Sequence, residues 1–232
     1  QLPYRRLLYM NITFLIVLVA GIHSITTVSE VSVKAGSSIS IPCLYDSKYI
    51  NQVKYLCKGY FWSSCSYLVK TNQPSSSGQF LISDDKSQRI FTVTIEDLTH
   101  ENTGYYWCAV EINKGDDVNK YIYLSVTGGT LSLYAKNQKL TGFNGDNITI
   151  NCYYTNTGET KWCRLGISCV TRSSGSIDRT KVTISEGAHS VFNVTMSGLR
   201  TESSGWYWCA KGDTSMITNT GICSVLCSFN TG

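Results

Sequence analysis

Proline and histidine are scarce, with three residues of each in 232. Long apolar runs are scarcer still: the only one is Ile12 to Gly21 (ITFLIVLVAG), about half of the roughly 20 residues that a membrane-spanning helix needs. No later segment has helical periodicity of useful length, which argues against a helical domain. Basic runs are absent too. The formal net charge is only +4, so there is no groove for a phosphate backbone and nucleic acid is not expected as a partner. Of the histidines, His23 lies beside the apolar run, while His100 and His189 read as solvated loop residues. No serine, histidine and acid set for nucleophilic catalysis can be assembled from them, and H-E-x-x-H and phosphate-cradling glycine loops are missing. The chain is not expected to be an enzyme.

What the sequence does contain is ten cysteines, 15 tyrosines and 42% hydrophobic residues, a composition suited to a sizeable core in an oxidising compartment. Arg5 and Arg6 precede the short apolar run, which ends near Gly21 and Ser24, so residues 1–24 read as a signal peptide. Either Met10 is the true start or the amino-terminal region is simply extended. The mature chain is expected to begin near Ile25 and to enter the secretory pathway.

The remainder repeats itself. LTHENTGYYWC from Leu98 to Cys108 returns as LRTESSGWYWC from Leu199 to Cys209, a shift of 101 residues, and FTVTIEDL at Phe91 returns as FNVTMSGL at Phe192. Within each copy, short runs such as Ile39, Ile41, Cys43 and Phe91, Val93, Ile95 alternate apolar with polar residues, the pattern of half-buried strands. In each copy an early cysteine precedes one in G-x-Y-x-C, by 65 residues for Cys43 and Cys108 and by 57 for Cys152 and Cys209. That is the inter-sheet bridge of an immunoglobulin sandwich. The expected fold is all-β, with two tandem variable-type immunoglobulin domains over 25–127 and 128–232. Almost no linker separates them at Thr127-Gly128-Gly129, so limited relative freedom is expected. Tyr106 and Tyr207 stand where a tyrosine corner would form, after turns at Gly104 and Gly205.

KYLCKGYFWSSC (Lys54 to Cys65) and WCRLGISC (Trp162 to Cys169) add a second cysteine pair to each copy, with Trp62 between the cysteines of the first. Together with the G-x-Y-x-C motifs they resemble the polymeric immunoglobulin receptor and its relatives, the leukocyte CMRF-like receptors. The resemblance covers roughly 31–210. It implies bridges from Cys57 to Cys65 and from Cys163 to Cys169 across the C to C′ hairpins, in preference to a zinc site shared between domains. Two departures stand out: Leu56 occupies the position of the core tryptophan that Trp162 keeps, and the family's arginine and aspartate pair is replaced by Gln79 with Asn102 and by Lys181 with Ser203. A neutral pair is expected to hydrogen-bond in its place.

At the carboxyl end, Ile222 to Phe229 (ICSVLCSF) is the candidate last strand, and Cys223 and Cys227 have no partner in the repeat. An atypical or truncated end is expected, with the transmembrane segment missing. Asn147-Ile-Thr and Asn193-Val-Thr are glycan acceptors on outward strand positions of the second domain.

Recognition is assigned to the loops of the first domain: 45–52, where Tyr49 and Ile50 would form an apolar tip, 70–77, and 111–120, where Glu111, Asp116 and Asp117 supply acid. No cofactor is required, although calcium at Asp116 and Asp117 is one reading of the third loop. The resemblance implies the cell-surface ectodomain of an immune receptor that binds phospholipid head groups or protein ligands and signals. The alternatives are a transport receptor for polymeric immunoglobulin and a soluble decoy or adhesion module.

Overall fold

The computed structural model describes residues 25–73, 78–155, 157–212 and 220–228. The signal-peptide reading of residues 1–24 lies outside the described residues. Eight strands build the first half: β1 (Glu30–Lys34), β2 (Ile39–Leu44), β3 (Lys54–Lys58), β4 (Ser66–Lys70), β5 (Phe80–Asp85), β6 (Ile90–Ile95), β7 (Gly104–Val110) and β8 (Val118–Thr127). Ten build the second: β9 (Leu133–Ala135), β10 (Lys139–Phe143), β11 (Asn147–Tyr154), β12 (Thr160–Arg164), β13 (Cys169–Val170), β14 (Ser174–Ile177), β15 (Thr180–Glu186), β16 (Val191–Ser197), β17 (Gly205–Lys211) and β18 (Thr220–Ser228).

In the first half a sheet ordered β1-β8-β7-β3-β4 faces one ordered β2-β6-β5; in the second, β10-β18-β17-β12-β13 faces β14-β15-β16-β11-β9. Both are sandwiches whose first-edge strand runs parallel to the last, β1 to β8 and β10 to β18. The carboxyl segment thus completes the second sheet. Period-two alternation places Ile39, Ile41 and Cys43 of β2 against Phe91, Val93 and Ile95 of β6 and buries all six. Cys43 to Cys108 and Cys152 to Cys209 tie facing sheets together, and Cys57 to Cys65 and Cys163 to Cys169 close the hairpins. By chain entropy each long bridge contributes on the order of 4 kcal/mol.

The turn before the second bridge cysteine is built alike in both halves. The Tyr106 hydroxyl donates to Asn102 O at 2.6 Å and that of Tyr207 to Ser203 O at 2.9 Å. Burial pushes the Tyr106 phenol up to about 12. The expected amide pair is different in detail. Asn102 accepts from the Thr99 amide and hydroxyl, closing its own turn. Ser203 pairs with Thr180, not Lys181, because strand parity buries Thr180 and sends Lys181 to solvent.

Leu56 fills the core of the first half, where Trp162 stacks on Tyr207 in the second with ring centroids 5.3 Å apart. Outside the first sheet, the Cys57 to Cys65 bridge holds a short turn, Trp62–Ser64, so that Trp62 lies over Tyr55 and Trp107. Among the described residues no helix is long and apolar enough to cross a membrane.

Candidate functional site

The loop residues singled out from sequence are mostly structural. Asp46 caps a short helical turn, Ser47–Tyr49, which swings Tyr49 inward to 6% exposure in the core. Ile50 packs against that core half-buried, and its carbonyl accepts from the Lys54 ammonium. The apolar tip expected at Tyr49 and Ile50 is therefore part of the core. Asp117 is likewise committed: one oxygen accepts from the Ile112 amide at 2.8 Å and the other from the Tyr55 hydroxyl at 2.5 Å, closing the loop between β7 and β8. Glu111 pairs with Lys70 at 3.1 Å, and Asp116 points to solvent. Each Asp117 oxygen already accepts one hydrogen bond and Asp116 is exposed, so the loop geometry lends the calcium reading of Asp116 and Asp117 no support. Among the described residues, no group of three or more His, Cys, Asp or Glu side chains is placed to hold a metal ion.

Two charge sets, one buried and one with an exposed acid, escaped the sequence reading. Lys54, fully buried, donates to Asp84 at 3.0 Å and lies over the Tyr45 ring, while the Tyr45 hydroxyl donates to the other Asp84 oxygen at 2.7 Å. The second sandwich keeps the tyrosine and the acid as Tyr154 and Glu186 but draws its lysine, Lys211, from β17. Burial alone would raise the Glu186 carboxyl; hydrogen bonds from Lys211, Thr160 and Tyr154 outweigh it and hold the group below its ordinary value. The lysine thus moves from three residues before Cys57 to two residues after Cys209, a shift that a strict repeat comparison passes over.

The outer faces of the sheets β1-β8-β7-β3-β4 and β10-β18-β17-β12-β13 differ more than the loops do. In the first half that face is aromatic and open, with Tyr60 68%, Phe61 64%, Tyr67 60% and Tyr121 42% exposed. The rings form a continuous set in which Tyr60 meets Phe61 and Tyr105, and Tyr105 meets Tyr121 and Tyr123. By the 101-residue shift, Tyr105, Trp107 and Tyr121 become Trp206, Trp208 and Ile222. Ile222 is buried in the core cluster of the first sandwich, and Trp206 and Trp208 pack half-buried against that cluster, with Trp208 in register with Ile222. Gly166, in the turn after β12, approaches Leu44 so closely that an added Cβ would lie 2.1 Å from Leu44 Cδ2.

Gln138 completes this contact. Its side-chain amide donates to Ser40 O at 2.9 Å and accepts from the Ser40 N–H at 3.1 Å. An edge strand normally offers such groups to another chain; here Gln138 imitates the missing peptide and closes part of the β2 edge. The sequon asparagines sit on the opposite sheet of the second sandwich, Asn147 on β11 and Asn193 on β16, away from the contact. Both are expected to carry glycans: Thr149→Ala and Thr195→Ala should each remove one glycosidase-sensitive step from the secreted chain on a gel, and an unshifted wild type would refute this.

Residues 26–127 match the family model described as Immunoglobulin V-set domain. CMRF35-like molecule 3 of Mus musculus is 38% identical over 89 residues, 37% of this chain and 36% of that protein. The polymeric immunoglobulin receptor of Mus musculus is 28% identical over 191 residues, 75% of this chain and 24% of the receptor. The chain therefore spans well under half the length of these two relatives. Among solved structures, the teleost fish polymeric Ig receptor ectodomain is 29% identical, covering 90% of this chain and 100% of the other, with a TM-score of 0.41. This chain carries an immunoglobulin V-set domain and is homologous to the CMRF35-like molecules and the polymeric immunoglobulin receptor.

Proposed function

We propose that the chain is the ligand-binding ectodomain of an immunoglobulin-like cell-surface receptor, in which the first sandwich meets a protein ligand and the second spaces it. One asymmetry carries this reading: the aromatic outer face of the first sandwich is open, whereas Ile222, the second sandwich's counterpart of the exposed Tyr121, is buried in the core cluster of the first. Exposed tyrosine and phenylalanine side chains in one patch are the composition of a protein-binding hot spot, since rigid rings bury much area at little entropic cost. The sequons on the other sheet of the second sandwich support the spacer role.

A signalling receptor of the CMRF-like type is the leading form of this reading. Transport of polymeric immunoglobulin is favoured by a separate observation, that the alignment to the mouse receptor spans 75% of the chain and so both sandwiches. Staining of leukocytes with tetramers of the full chain tests the common part. Staining should be lost when cell-surface proteins are digested. It should fall about tenfold or more when Tyr60→Ser, Phe61→Ser and Tyr67→Ser are combined, the loss of two or three hot-spot side chains. Ile167→Ser and Leu226→Ser, exposed positions of the second sandwich, should leave it unchanged. Equal losses from the two sets would overturn the assignment, and protease-resistant staining would point to lipid. Saturable binding of purified polymeric IgM selects transport over signalling.

A further inference from the structure

A cleft of about 320 Å³ lies between the two sandwiches. Its walls come from both: Val31, Val33 and Ile39 from the first, and Leu131, Tyr134 and Ile222 from the second. All but the tyrosine are aliphatic. Two features hold these walls in place. Gln138 reaches across the domain boundary to the Ser40 backbone, with its donor and its acceptor both used. Gly221 lets β18 lie close against β9, since an added Cβ would fall 2.5 Å from Ala135 N and 2.8 Å from Cys209 Sγ. The 101-residue shift puts Lys120 at that position in the first half, so the close approach is particular to the second.

We propose that this cleft is a binding site for a single-chain fatty carboxylate. The charged residues of its lining are Lys34 and Lys136, both exposed, and no Asp or Glu is among them. Among the described residues neither ammonium is in an ion pair or over an aromatic ring. An apolar trough with two cations and no acid suits an amphipathic anion: the chain leaves water against the aliphatic walls while the carboxylate stays with the lysines. Domain boundaries are a preferred place for such concave, mostly apolar sites. A diacyl phospholipid has two chains and more volume than the cleft offers. A peptide strand fits poorly, because Gln138 has already taken the Ser40 groups with which it would pair. Ser32 and Gln138 also line the cleft, but both are engaged within the chain and are not needed as ligands.

The site goes beyond the reading of the chain as a receptor, since it involves neither the aromatic face nor a protein ligand. An occupant touches both sandwiches at once. It therefore binds only their packed arrangement and stabilises that arrangement by mass action. Absence of the site would leave the contact surface of the first sandwich as it is.

The experiment is a titration of the full secreted chain, carrying carbon-13-labelled Ile, Leu and Val methyl groups, with decanoate below its micelle concentration. The methyl signals of Val31, Val33, Ile39, Leu131 and Ile222 should shift saturably. Across hexanoate, octanoate and decanoate, affinity should rise roughly fourfold per added methylene. The alcohol 1-decanol keeps the chain and loses the charge, and should bind about fivefold or more weakly. Lys34→Gln combined with Lys136→Gln should weaken decanoate by about the same factor. Val33→Phe, which fills the cleft, should abolish the shifts while a thermal melt confirms folding. Shifts spread over both sandwiches without saturation, equal binding of decanol, or decanoate binding indifferent to the lysine pair and to Val33→Phe would overturn the proposal. Decanoyl lysophosphatidylcholine binding more tightly than decanoate would overturn the assignment to a free carboxylate.

Discussion

Replacing Asp84 by alanine should destabilise the first sandwich by about 3–5 kcal/mol, the usual cost of leaving one member of a buried ion pair unpaired. Lys54 has no exposed surface and Asp84 little, so water cannot replace the lost carboxylate. The Tyr45 hydroxyl loses its acceptor in the same step, and its position beside the chain's own core prevents it from finding another cheaply. Asp84→Asn keeps an acceptor for Tyr45 but not the charge, and should fall between alanine and wild type. The double variant Lys54→Met with Asp84→Leu should recover much of the loss, because well-packed apolar groups often match a buried pair. Denaturant unfolding of the secreted chain, followed through the first sandwich's transition, checks the series. An effect of Asp84→Ala below about 1 kcal/mol would mean that the pair is solvated.

The second large effect concerns the contact between the sandwiches. Gly166 has φ of +72°, and its hypothetical Cβ falls almost onto Leu44. Gly166→Ala therefore carries about 1–2 kcal/mol of left-handed backbone strain and a clash as well. Either Leu44 leaves its rotamer or the turn after β12 draws back from the first sandwich. Leu44→Ala in the same chain makes room and should return the contact while the backbone strain remains. If the sandwiches did not touch, the single and double variants would differ only by the cavity left at Leu44.

Much of the architecture was legible because it is local. Period-two alternation at Ile39 to Cys43, the 101-residue repeat and the G-x-Y-x-C motif each follow from how a strand, a duplication and a tyrosine corner are written in sequence. The candidate site was less legible, for three physical reasons. Tyr49 in a polar loop looked exposed, but the capped turn that carries it rotates the ring into the core. Asp117 looked available because sequence does not show that its two oxygens are already used by Ile112 and Tyr55. Lys54 drew no reading of its own beyond its motif, because its partner Asp84 lies 30 residues away on the facing sheet. Hardest of all was the contact between Ser40 and Gln138, which are 98 residues apart and leave no periodic trace. Without it, Ile222 reads as a copy of Tyr121, although Ile222 is buried in a cluster with the first sandwich and Tyr121 is 42% exposed.

That difference between the two outer faces is the central claim, and hydroxyl-radical footprinting of the intact secreted chain tests it most directly. The account predicts rapid modification of Tyr60, Phe61 and Tyr67, which are 60% exposed or more, and protection of Trp206 and Trp208 that is relieved in Gly166→Ala and restored by adding Leu44→Ala. Trp206 and Trp208 reacting as fast as Tyr60 and Tyr67 in the wild-type chain would contradict it.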